Sequence, residues 1–183
     1  MRNRIFFVLN FFLSICLNNV YSQEALVGGI IYGNNWALLL KAPDGWRMDQ
    51  ESLAHVGIYG LFYEKEKTFS AQANMPIIYV QTTKLNEISD EEFKRMTHFD
   101  INNRTSNTGS SVQQIRHTFQ EENKIYFLFN VDLPNGRRER FVYTRYGEVL
   151  VIIVLHTRND IERDTIFPKM VQLINDIVPI DKR

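Results

Sequence analysis

Val149-Leu150-Val151-Ile152-Ile153-Val154-Leu155 is a run of seven apolar residues with no polar face at any regular period. It is far shorter than the roughly 20 apolar residues that cross a bilayer. Side chains of a strand point alternately to the two faces of a sheet, so a strand apolar on both faces has to be covered on both. The run is therefore expected near the middle of a sheet with material on each side.

Working outward from this run, Gly147 marks a tight turn back to Arg138–Tyr146, and Asn135-Gly136 marks another back to Ile125–Val131. Both turns offer the positive backbone angles that short hairpins demand, so these strands pair antiparallel. Val112–Gln120 adds a fourth strand, set off by Glu121-Glu122-Asn123. Upstream of the polar loop Thr105–Ser111, Ser89-x-x-Glu92 is a capping box with Asp90 and Glu91 in the first turn. It predicts a helix over Asp90–Asn102 that buries Phe93, Met96 and Ile101.

Three further strands precede the helix: Trp36–Leu40, stopped by Pro43-Asp44-Gly45, then Val56–Glu64 and Pro76–Thr83, the last two apolar on both faces. A closing helix is expected from Asp164 or Thr165, with Pro168 in its first turn and Pro179 ending it. Its buried stripe is Phe167, Met170, Val171, Ile174, Ile177 and Val178. The order is three strands, a helix, four strands and a helix. The expected fold class is α+β, a largely antiparallel sheet of about seven strands flanked by two main helices in an α/β/α sandwich.

The chain of 183 residues is 44% hydrophobic and 13% aromatic, with 9 Gly and 5 Pro, far below the roughly 25–30% Gly plus Pro of low-complexity chains. Disorder is excluded, and one globular domain is expected. With 21 basic against 21 acidic residues, no general attraction to nucleic acid or anionic membrane is implied.

Arg2 and Arg4 precede the apolar stretch Ile5–Leu17, and Asn18-Asn19-Val20-Tyr21-Ser22 follows. This order is that of a secretory signal peptide, with cleavage after Ser22 leaving Gln23 first. The organisation expected is residues 1–22 as signal peptide, 23–35 as an N-terminal lead-in with room for one short edge strand, and 36–183 as a single α+β domain. Leu13-Ser14-Ile15-Cys16 imitates a lipoprotein cleavage site, but Ile15 is bulky where a small residue is needed, so lipidation is the lesser alternative. Cys16 is the one cysteine. A mature chain from Gln23 is thiol-free, which excludes disulfides, thiol catalysis and thiolate metal sites. It is expected in the periplasm or outside the cell, with no transmembrane helix.

With Pro43-Asp44-Gly45-Trp46 after a first strand, an acidic-capped helix in mid-chain, a run of antiparallel strands and a closing amphipathic helix, the chain resembles the PsbP-like fold group over Trp36–Ile180. That group includes an extrinsic photosystem II subunit, a nuclear-transport GTPase-binding protein and many small exported bacterial proteins. The resemblance implies a non-enzymatic binding or accessory role. It carries no metal-binding or catalytic residue onto this chain.

No phosphate-binding loop, nucleophile elbow or His-Glu-x-x-His occurs. Asp160-x-Glu162-x-Asp164 begins like a calcium loop, but Thr165 replaces the required Gly and Val171 the closing Glu. No catalytic residue, metal ligand or cofactor is assigned.

The candidate ligand-binding residues are Arg138, Arg140, Tyr143, Trp46, His117 and His156. Arg137-Arg138-Glu139-Arg140, followed by Phe141, Tyr143, Arg145 and Tyr146, is the one basic cluster interleaved with aromatics. It fits an anion- or glycan-binding surface, and the competing reading is a solvated hairpin arm. Trp46 is either a partner anchor or a cap on the sheet edge. His117 alternates with Ile115 and Phe119, and His156 with Ile152 and Val154, so each is a hydrogen-bonded group at the core margin or part of a site assembled from distant residues. The leading expectation is an exported, non-catalytic domain of the bacterial cell envelope with a protein or small-molecule partner and no nucleic acid. The alternatives are a hydrolase with a dispersed site and an anion- or glycan-binding Arg138 hairpin.

Overall fold

The computed structural model describes residues 28–70, 74–106, 108–119 and 124–180. The expected signal peptide and Cys16 lie outside the described residues. In chain order the elements are β1 (Gly28–Tyr32), β2 (Ala37–Lys41), β3 (Trp46–Asp49), a 3-10 turn at Ala54–Val56, β4 (Gly60–Glu64), β5 (Ile77–Lys84) and α1 (Asp90–Thr105). Then come β6 (Ser111–Ile115), β7 (Phe127–Asp132), β8 (Arg138–Tyr146), β9 (Val149–Thr157), α2 (Asp160–Asn175) and β10 (Val178–Ile180). Seven strands form one sheet in the order β3-β4-β5-β9-β8-β7-β6, and a second sheet has the order β1-β2-β10. Every pairing is antiparallel. The fold class is α+β, as the pattern of elements predicts.

The apolar run is β9, the central strand of seven, and every residue from Val149 to Leu155 is buried. Val149, Val151, Ile153 and Leu155 join Met170, Leu173 and Ile174 of α2, Ile177 beyond it, and Ile31, Leu38 and Leu40 of the small sheet. Leu150, Ile152 and Val154 face the other way, into Phe93 and Ile101 of α1 with Phe129, Phe141 and Tyr143. The large sheet thus has an α2 face and an α1 face. At Gly60 a Cβ would stand 3.0 Å from Leu40 Cδ1 and 3.3 Å from Val80 Cβ, so the bare backbone of β4 admits the small sheet at close range.

Local signals set the helix starts. Ser89 accepts from the Glu92 amide at 3.1 Å, as its capping box predicts. Asn159 accepts from the Glu162 amide at 2.9 Å, so α2 begins at Asp160, ahead of the expected Asp164. Pro168 consequently lies in the body of the helix, where it leaves the Asp164 carbonyl without its helical donor.

Pro179 does not merely end the helix: it sits in β10, an edge strand, where a missing N–H is tolerated. The strand expected at Trp36–Leu40 is the centre of the second sheet. It is flanked by β1, drawn from the lead-in, and by β10. Strand β3 is an addition to the expected order, and the strand expected from Val56 starts at Gly60 because Ala54–Val56 coils into a 3-10 turn. No helix among the described residues is long and apolar enough to cross a membrane.

Ile153 is fully buried and Ile161 is 81% exposed. Ile153→Ala should cost about 2–5 kcal/mol by urea unfolding, whereas Ile161→Ala should stay within about 0.5 kcal/mol. Equal effects would overturn the central placement of β9.

Candidate functional site

Alternation along β8 divides the expected basic cluster between the two faces of the sheet. Arg138 and Arg140 point to the α2 face, while Tyr143 and Arg145 point to α1. Arg140 is 6% exposed. Its Nε donates to Asn130 Oδ1 at 2.8 Å, its Nη2 to Asp164 Oδ1 at 2.9 Å, and its guanidinium lies 4.3 Å from the Phe167 ring centre. Arg138 Nε lies 3.3 Å from carboxylates of both Asp132 and Asp160. Arg163 of α2 is paired to the same two, at 3.1 Å and 2.6 Å. Each arginine of this network is matched by α2 or β7 carboxylates, so the network clamps the N-terminal half of α2 to β7 and β8. Burial pulls Arg140 below the usual guanidinium range, against the opposing pull of Asp164.

The other candidates are placed as follows. Tyr143 is fully buried beneath α1 and donates to Asp100 Oδ2 at 2.8 Å; burial and that carboxylate push its phenol up. Arg104 Nε holds the same oxygen at 2.7 Å, and its Nη2 donates to Gln81 Oε1 at 2.7 Å. Trp46 is 5% exposed in the core of the α2 face, so its indole offers no face to a partner.

His156 lies on the α1 face with Nδ1 2.9 Å from Glu139 Oε1 and Nε2 3.4 Å from Arg137 Nη1. Arginine only donates, so Nε2 is the acceptor and Nδ1–H donates to Glu139. Both nitrogens are engaged, which leaves neither to take a substrate proton. His117 lies on the α2 side, so the two imidazoles do not meet, and no group of three metal-ligating side chains occurs among the described residues.

His117 is instead one wall of an open groove of about 710 Å³ lined by Gln114–Phe119 and Tyr126–Leu128. Its ring meets Phe119 edge-on at 4.8 Å and Phe167 at 4.9 Å, and Phe119 meets Tyr126 at 4.3 Å. Phe167 joins the two candidates that the fold does bring together: His117 on one edge and Arg140 over its face. In the sequence Phe167 belongs to the buried stripe of α2, and periodicity alone gives no sign that β6, β8 and α2 converge on it. The groove can hold an aromatic or aliphatic group, with Gln114, Arg116, His117 and Thr118 as polar contacts on its rim.

Burial, and the nearby Arg140 cation, lower His117 from its ordinary value of 6.5. The unfolded chain then binds more protons below about pH 6.5, so stability is full above that pH and falls as pH drops through the folded value. Unfolding measurements from pH 7.5 to 5 should show that His117→Gln removes part of this slope; an unchanged slope would refute the assignment. Arg140→Glu sets a carboxylate beside Asp164 and should cost about 3–5 kcal/mol by urea unfolding. A neutral result would show that the clamp contributes nothing.

No protein-family model matches the sequence, and no curated protein is similar to it in sequence. Among solved structures it is similar to the cyanobacterial PsbP, CyanoP, of Synechocystis sp. PCC 6803, with TM-score 0.53 and 12% identity over 89% of this chain and 98% of that one. The Ran-binding protein Mog1p of Saccharomyces cerevisiae aligns with TM-score 0.45 and 10% identity over 84% of this chain and 96% of that one. At such identity a likeness concerns the backbone path alone. The similarity to CyanoP, with the antiparallel seven-stranded sheet between two helices, gives this chain the PsbP-like fold.

Proposed function

We propose that the chain is an exported, non-catalytic binding or accessory domain of the bacterial cell envelope, with its ligand contact at the His117 groove. The observation that carries this reading is the contrast between two sites. The imidazole–carboxylate pair, His156 with Glu139, is closed by Arg137, while the groove lined by the exposed His117 and the half-buried Tyr126 stands open. Open apolar concavities with a few polar rim groups suit binding. Export is supported by the sequence, through Arg2, Arg4, the apolar stretch Ile5–Leu17 and Ser22 before Gln23. Under this proposal residues 1–22 are removed and the mature chain folds without thiols.

The hydrolase alternative draws its support from the 2.9 Å contact of His156 with Glu139, and is weakened by the Arg137 donor on the remaining nitrogen. The anion- or glycan-binding alternative is weakened because Arg138 and Arg140 are matched by Asp132, Asp160 and Asp164.

The test is expression of the full chain in a bacterial host with a photo-crosslinking residue at His117 or, as a control, at Ile161. The periplasmic fraction should contain a product beginning at Gln23, and crosslinked species should form from position 117 and not from 161. A product retained in the cytoplasm with its leader would overturn export. Equal crosslinking from the two positions would overturn the groove.

A further inference from the structure

Among the described residues, every edge strand of the two sheets but one carries a device that blunts it. Strand β3 is only four residues long and bears Arg47 and Asp49. On β1, Gln50 Nε2 donates to the Ile30 carbonyl at 3.0 Å, and β10 contains Pro179. Charges, prolines, shortness and side-chain caps are the usual ways of keeping an edge from pairing with another chain.

Strand β6, five residues long, has no charge, proline or side-chain cap among the described residues. Ser111-Val112-Gln113-Gln114-Ile115 contains no charge, glycine or proline, and its inner side pairs with β7 from Ser111↔Asp132 to Ile115↔Leu128. Among the described residues no strand pairs with its outer side. Residues 111–114 are exposed on both faces, with Val112 at 43%. The side chains nearest the C-terminal end of the strand lead straight into the aromatic groove of Ile115, His117, Phe119, Tyr126 and Leu128, and Arg116 stands exposed between them.

We infer that β6 is a strand-addition site for an extended segment of a partner protein. This inference rests on the binding role assigned to the groove and names its ligand class. The segment would add an eighth strand, its backbone pairing with the outer N–H and C=O groups of β6. One side chain, on the α2 face beyond Ile115, would enter the groove. The lining selects an aromatic or large aliphatic residue there, and the exposed Arg116 selects a neighbouring carboxylate. Backbone pairing supplies affinity that tolerates sequence, and the groove supplies the choice among sequences. A second copy of this chain is the less suitable occupant, because a five-residue strand cannot supply the roughly 800 Å² per partner of a stable symmetric interface.

The test begins with a phage-displayed library of random twelve-residue peptides selected on the purified chain. Enriched peptides should alternate apolar and polar residues around one aromatic residue with an acidic neighbour. A synthetic peptide of that sequence should slow hydrogen exchange of alternate amides in Val112–Ile115 at least ten-fold. Gln114→Glu, which changes an exposed position, should weaken its binding, and Arg116→Glu should weaken it about ten-fold or more, both with unchanged urea unfolding. Absence of enrichment, or an enriched peptide that leaves the β6 amides unprotected, would overturn strand addition. So would concentration-dependent protection of β6 without peptide, which would assign the edge to a second copy. Crosslinking at His117 that persists alongside unprotected β6 amides would remove strand addition while leaving the broader binding role intact.

Discussion

A strand with apolar side chains on both faces must be sandwiched, and β9 imposes that requirement on the whole molecule. Its side chains from Val149 to Leu155 are removed from water only because α1 lies on one face and α2 with the small sheet lies on the other. At roughly 25 cal/mol per Å² of apolar surface, a bare face here would leave several large side chains without their driving force for burial. The small sheet follows from the same constraint. Helix α2 sits against β9 and β8, and Ile31, Leu38 and Leu40 complete the cover over Phe62, Ile78 and Val80 toward the β4 side.

Polar contacts then orient what burial brings together. On the α2 face, Arg138, Arg140 and Arg163 interleave with Asp132, Asp160 and Asp164; on the α1 face, Asp100 joins Tyr143 to Arg104, and Arg104 reaches Gln81. Such partly buried pairs add little net stability, because desolvation offsets much of the attraction, but removing one partner strands the other. Their effect is to set the helices in register against the sheet. The basic cluster of the hairpin is therefore absorbed by the fold, while the edge strand β6 carries no charge and leads into the open groove beside it.

Much of the architecture was legible because its signals are local. The apolar run, the Ser89 capping box and the glycines at 136 and 147, whose φ angles are +84° and +57°, each act through a few neighbouring residues. Asn159-x-x-Glu162 carried the same kind of signal for α2, and it places the helix start at Asp160. What escaped was non-local. β10 forms only because β2 offers it an edge, and β1 gains its place from the same strand. The candidate site was legible in its parts: period two already assigns Arg140 and Tyr143 to opposite faces of one strand. Phe167 as the bridge between His117 and Arg140 was not.

Composition, periodicity and capping by themselves determined the class of fold, the order of most elements and the burial of β9 on both faces, since each follows from interactions within a strand, a turn or the first turn of a helix. Tertiary structure alone decided the second sheet, the neutralisation of the arginines by aspartates of β7 and α2, and the contact of Phe167 in α2 with His117 at the wall of the groove. Those depend on which surfaces come together across long stretches of chain. Contacts of that kind are selected by the summed burial of the whole core, which no short stretch of sequence encodes.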